Sequence, residues 1–184
     1  MIHPLAKRIV TLIKQDPLRM QVLDCISQLD LPQCYVAAGF VRNLVWDHLH
    51  GFDSPTPLND IDVIYFARGD TSYESDTRYE ALLQEKLPEL KWQVRNQANM
   101  HIRNNDKPYK SSLDAMSYWP EKETAVAVKQ SLNGDIECIA SFDLESLFDL
   151  QITPNPKRSR DIFDQRVQSK DWLTQWPKLT ISHR

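Results

Sequence analysis

Apolar residues recur at helical spacing over the first thirty positions, with Leu5, Ile9, Leu12 and Ile13 on one stripe and Leu18, Val22, Cys25, Ile26 and Leu29 on a second. Between the stripes, Asp16-Pro17 offers an N-cap and a proline at the first helical position. Pro32 closes the second stripe, so residues 1–31 read as an N-terminal helical cover. The pattern then changes. Tyr35 to Ala38 is a short apolar run that predicts a buried strand. Val41, Leu44, Val45 and Leu49 return to the helical period, with Gly51 as a stop. Phe52 to Asn59 carries two prolines and reads as a loop. Asp60 to Phe66 alternates like a strand, with Ile61, Val63 and Tyr65 on its core face.

Farther along, Tyr79, Leu82, Leu83 and Leu87 predict a helix broken by Pro88, and the stretch from Trp92 to Met100 contains a strand. Asn104 to Ser111 is a polar loop, and Ser112 caps a short helix running to Tyr118. Thr124 to Leu132 and Ile136 to Ala140 flank Asn133-Gly134, which predicts a hairpin with a type I′ turn. Asp143 caps a further short helix, Ile152 to Pro156 is a turn, and 154–184 is a basic tail containing Trp172 and Trp176. Strand–helix alternation plus a hairpin predicts an α/β (α+β) fold with a mixed sheet flanked by helices, and 184 residues fit a single domain.

The chemistry concentrates between Ala37 and Phe66. Asp60 and Asp62 sit two apart on a strand, which aims both carboxylates at one point. Two hard anionic ligands on one rigid edge suit Mg²⁺ or Mn²⁺ acting on phosphates. Gly39 lies between a strand and a helix. Free N–H groups at that helix start and the missing Cβ suit a phosphate chain. Each feature alone is weak, since most Asp-x-Asp pairs are solvated turns and most such glycines are only turns. Their order raises the specificity.

Net charge is −3, which argues against a broad nucleic-acid surface and leaves room for a local basic patch. No apolar run approaches a membrane span. The N-terminus lacks a signal-peptide core, and Cys25, Cys34 and Cys138 are odd in number and in apolar contexts. These features predict reduced, buried thiols, no zinc site and a cytoplasmic protein.

Gly39-Phe40-Val41-Arg42-Asn43 followed by Asp60-Ile61-Asp62 resembles the DNA polymerase β nucleotidyltransferase superfamily. Ala38 to Asn43 is similar to the Gly-Gly-x-Val-Arg-Asp of tRNA nucleotidyltransferases. The longer run, with Trp46, Asp47, His50-Gly51, Asn96-Gln97, Thr124-Ala125 and Trp176-Pro177, resembles a small bacterial nucleotidyltransferase family from about Tyr35 to Ile181. The resemblance implies a polymerase-β-type fold and a Mg²⁺-dependent (or Mn²⁺-dependent) transfer of a nucleoside monophosphate from an NTP to an acceptor. It implies Asp60 and Asp62 as metal ligands and Ala38, Gly39, Phe40 and Arg42 as the nucleotide-binding turn. It also implies a third carboxylate on a neighbouring strand, for which Glu137 is the candidate beside its reading as a solvent-facing strand residue. Arg42 has two readings, a triphosphate contact or a structural pair. The basic tail likewise reads as a solvated helix face or as a phosphate contact. Asn43 departs from the aspartate of the tRNA enzymes. Details of those enzymes therefore do not carry over, and the short, acidic chain favours a small-molecule or protein acceptor over RNA. The alternatives are a non-catalytic nucleotide-binding regulator and a toxin–antitoxin component with the same fold.

Overall fold

A computed structural model describes residues 3–70 and 72–182. Met1, Ile2, His183 and Arg184, the extremes of the predicted cover and tail, and Thr71 lie outside the described residues. Along the chain run α1 (Pro4–Lys14), α2 (Pro17–Ser27), β1 (Tyr35–Ala37), α3 (Gly39–His50), β2 (Asp60–Tyr65), α4 (Tyr73–Lys86), β3 (Lys91–Asn96) and α5 (Gln97–Asn104). They are followed by α6 (Ser112–Met116), β4 (Val126–Gln130), β5 (Ile136–Ala140), α7 (Glu145–Phe148), β6 (Gln151–Ile152), α8 (Arg160–Ser169), α9 (Trp172–Gln175) and β7 (Thr180–Ile181).

Five strands form one mixed sheet in the order β3-β2-β1-β4-β5, and β6 pairs with β7 in a small parallel ribbon. β1 is antiparallel to both β2 and β4, β2 and β3 are parallel, and β4 and β5 form an antiparallel hairpin. The parallel pair requires a crossover, which α4 supplies. The two sheet faces divide as the alternation predicts. Val36, Ile61, Val63, Tyr65, Val94, Val126 and Val128 join the larger core with α1, α2, α3 and the C-terminal helices. Tyr35, Ala37, Ile64, Ala125 and Ala127 face the other way, against Met116 of α6.

Asp16 caps α2 by accepting from the Arg19 N–H at 2.9 Å, and Gly51 ends α3 at φ 72°. The second apolar stripe buries Val22 and Ile26 and packs Cys25 and Leu29 on the core as its spacing predicts, with the buried face of α2 shifted to take in Arg19 and Leu23 and leave out Leu18. Leu18 is exposed, and Arg19 is buried, donating to the Phe40 carbonyl at 2.6 Å and to Asp16 at 2.6 Å. The strand expected within Trp92 to Met100 is β3, which ends at Asn96, where the side chain accepts from the Ala98 N–H and caps α5, placing His101 on a helix. Asp143 does not cap α7, whose N-cap is Leu144. The hairpin turn also differs. Gly134 donates to the Ser131 carbonyl at 2.9 Å and Ser131 to the Asp135 carbonyl at 2.9 Å, and only Gly134 has positive φ. That is a type I turn with a glycine bulge rather than type I′.

The largest difference lies in the C-terminal segment. Instead of a tail it returns across α3. Trp172 and Trp176 are buried against Trp46, with ring centroids at 5.9 and 5.1 Å, and β7 pairs with β6 where a turn was expected. Among the described residues, no helix is long and apolar enough to cross a membrane.

Candidate active site

β1 and β2 run antiparallel, with Ala37 opposite Asp62. The end of β1 therefore lies beside the start of β2, which brings the turn into α3 next to both aspartates. Asp60 and Asp62 share the face opposite Ile61 and Val63 and open into a cleft of about 540 Å³. Ala38, Gly39, Arg42 and Asn43 form one wall of it, Gln93, Arg95 and Gln97 a second, and Arg166, Lys170 and Trp172 a third.

Among the described residues, no hydrogen bond is donated to either aspartate's carboxylate. Burial pushes the Asp62 carboxyl up to about 6, with Arg42, Lys170 and Arg166 pulling it down and Asp60 adding to the rise. Ionised oxygens short of donors beside a second carboxylate suit a hard divalent cation, so this donor set fits the expected metal. Among the described residues there is no cluster of three or more His, Cys, Asp and Glu able to hold a metal.

Glu137 is not brought to this cleft, which corrects its expected place beside the aspartates. It projects from the edge strand β5, pairs with Lys129 at 2.8 Å and is half exposed. Three strand spacings separate β5 from β2, about 14 Å. The residue facing Asp62 on the neighbouring β3 is Gln93.

The turn into α3 carries strain at Ala38 rather than at Gly39. Ala38 has φ 58° and ψ −125°, a conformation glycine adopts more readily. Its carbonyl accepts from the N–H groups of Val41 and Arg42, at 3.0 and 2.9 Å. The Gly39 and Phe40 N–H groups, first in the helix, have no intrahelical acceptor. A Cβ at Gly39 would sit 3.2 Å from the Asn43 Nδ2, so that side-chain tip would have to give by a few tenths of an ångström, and 3.5 Å, ordinary contact, from the Arg42 Nη2. The Phe40 ring is fully buried under the Arg19 guanidinium, so Phe40 offers this site only backbone.

Arg42 is buried between the rings of Trp46 and Trp172, at 4.8 and 4.4 Å. It donates to Thr124 Oγ1 at 2.7 Å and through Nε and Nη2 to Asn43 Oδ1. Asp47 accepts from the Thr56 N–H and from Trp176 Nε1, both at 2.8 Å, tying the proline loop and the C-terminal segment to α3. Cys34 and Cys138 are pushed up to about 12 by burial, which makes them poor nucleophiles.

Arg166 and Lys170 were legible only as tail cations. Their i, i+4 spacing puts both on one face of α8, but nothing local says where α8 lands. Thr124, which lines the cleft, was visible only within the family resemblance, and Glu121 behind it carries no sequence signal for a site.

A family model described as Nucleotidyltransferase matches residues 24–181. A protein whose NMR structure is described as revealing a CCA-adding enzyme head domain superposes with a TM-score of 0.83 at 32% identity, covering 97% of this chain and 96% of that one. A CCA-adding enzyme in complex with CTP gives 0.61 at 14% identity, over 97% of this chain and 43% of that one. The Thermotoga maritima CCA-adding enzyme complexed with tRNA gives 0.61 at 15% identity, over 97% and 42%. The last two likenesses are of fold, and the chain spans under half the length of each enzyme. No curated protein matches the chain.

Proposed function

The chain belongs to the nucleotidyltransferase family, and from that premise we propose that it moves a nucleoside monophosphate from an NTP to an acceptor hydroxyl, with Asp60 and Asp62 holding Mg²⁺ or Mn²⁺. One observation carries the reading: two carboxylates without hydrogen-bond donors share a cleft with a helix N-terminus and five cationic side chains, of which Arg42, Arg166 and Lys170 act on Asp62. Bound there, the metal would polarise the α-phosphate and favour the ionised acceptor oxygen. The chain's own groups then have separate tasks. The first N–H groups of α3, with Arg42, Arg166 and Lys170, neutralise the β- and γ-phosphates, the leaving pyrophosphate. Trp119 is half-buried on the cleft wall and offers a ring to the base. A small-molecule or protein acceptor stands ahead of RNA, because a net charge of −3 gives no broad cationic face for a nucleic-acid backbone.

A second reading, a nucleotide binder without turnover, is favoured by Gln93 facing Asp62 and by the remoteness of Glu137. One experiment decides between them. The full chain is incubated with each NTP labelled with ³²P at the α position, or at γ as a control, together with Mg²⁺ or Mn²⁺ and cell extract. Transfer is expected to label a metabolite, protein or RNA from α and not from γ, and to vanish in Asp60→Asn. Retention of NTP without labelled product supports the binder. Label from γ overturns nucleotidyl transfer.

A further inference from the structure

Behind the cationic wall lies a carboxylate that does not itself line the cleft. Glu121 is 1% exposed. Its Oε1 accepts from Arg166 Nε at 2.5 Å, and its Oε2 from Arg166 Nη2 at 3.3 Å and from Thr124 Oγ1 at 2.9 Å. The same Thr124 hydroxyl accepts from Arg42 Nη1 at 2.7 Å. One buried carboxylate thus fixes two arginines from α3 and α8, one directly and one through a hydroxyl. Arg42, Thr124 and Arg166 all face the cleft.

Two guanidiniums in one wall repel, and Arg166, which lacks the ring stack that encloses Arg42, carries more rotamer freedom than a phosphate clamp can tolerate. Glu121 opposes both effects. Burial, with Arg166 adding to it, pulls the Arg42 guanidinium down to about 10, and Glu121 is the strongest neighbour holding it up. The bonds leave donors spare. Arg42 uses one hydrogen on each of its three nitrogens, and a guanidinium has five, so two of its N–H groups stay free for a ligand.

We propose that Glu121 is a positioning residue that sets Arg42 and Arg166 as a two-pronged clamp for the triphosphate. The proposal rests on the NTP reading above. It opposes a simple charge sum, under which removing a buried anion beside two arginines tightens binding of an anionic ligand. The clamp requires the opposite sign, because the freed guanidiniums lose their shared geometry.

Calorimetric titration of the full chain with Mg²⁺ and inorganic tripolyphosphate, and separately with nucleosides, separates these cases. Glu121→Gln is expected to weaken tripolyphosphate at least tenfold and leave nucleoside affinity within about twofold. Thr124→Val cuts only the link to Arg42 and is expected to cost about threefold to tenfold. It also carries the test if Glu121→Gln fails to fold. Equal or tighter tripolyphosphate binding by the folded variants overturns the clamp. So does a parallel loss for both ligands, the mark of a merely structural role. If the parent binds neither tripolyphosphate nor any NTP, the nucleotide reading itself falls, and the clamp with it.

Discussion

At the residue scale, the two groups that set the site are held in unfavourable states. Asp62 is the clearer one. Burial raises its carboxyl from an ordinary 3.8 to about 6, so the folded chain holds this proton more tightly than the unfolded chain. Ionising Asp62 therefore costs stability, which without metal falls as pH rises from about 4 to about 6 and stays lower above that. Asp62→Asn removes the cost. In EDTA the variant is expected to match the parent near pH 4 and to exceed it by about 1–3 kcal/mol at pH 7, toward the lower end because the carboxylate still meets water. Urea melts at the two pH values measure it, and a variant less stable than the parent at pH 7 would mark Asp62 as structural. Ala38 is the second group. Ala38→Gly relieves its positive φ and is expected to raise stability by about 1 kcal/mol, after the entropy glycine adds to the unfolded chain. A lower melting temperature would contradict strain at that turn. Gly39→Val presses into Asn43 and Arg42 and is expected to weaken triphosphate binding more than nucleoside binding. Equal loss would mean general damage. Of these, the positions of the aspartate pair and Gly39 were legible in the sequence, and the strain at Ala38 was not. Asp60 and Asp62 needed only the strand period, and Gly39 only a strand-to-helix transition.

At the element scale, legibility depended on whether a signal was local. Asp16-Pro17, Gly51 and the alternation of β2 named their elements, because caps and side-chain period are written within a few residues. Asn96 serves two elements, closing β3 and capping α5, and the second role carries no local signal. Its side chain accepts from Ala67 N–H at 3.0 Å and Ala98 N–H at 3.1 Å and donates to the carbonyls of Ala67 and Asp70, both at 2.8 Å. Asn96→Ala leaves those buried groups short of partners and is expected to cost about 2–4 kcal/mol, a drop in Tm of roughly 4–16 °C. A change under about 1 °C would remove Asn96 as the pivot between strand and helix. The hairpin shows the same limit. Asn133-Gly134 marked the turn, yet the register of Ser131 to Asp135 chose a bulged type I form. No local pattern said that the hairpin joins β1 on the side away from β2, which is what carries Glu137 out of the site.

At the scale of the whole molecule, the site is completed by the return of the chain. Arg166, Lys170 and Trp172 reach the cleft because Trp172 and Trp176 pack on Trp46 and because the Trp176 indole donates to Asp47. Local period gave α8 a basic face but no destination, so its cations read as a solvated face or as phosphate contacts until the packing was known. Trp176→Ala is expected to cost about 3–5 kcal/mol in urea unfolding and to weaken NTP binding with it, whereas Trp176→Phe keeps the ring and is expected to lose far less. NTP affinity unchanged in a destabilised but folded Trp176→Ala protein would uncouple this segment from the site. The central claim is that a divalent metal and an NTP share the cleft at Asp60 and Asp62. It is tested most directly by calorimetric titration of an α,β-methylene NTP analogue into the full chain, with Mg²⁺ and then with EDTA, for the parent and Asp62→Asn. The expected result is saturable binding by the parent with Mg²⁺ that falls at least tenfold in EDTA and equally in Asp62→Asn. Binding that is the same with EDTA and in the variant would contradict a metal–nucleotide site on β2.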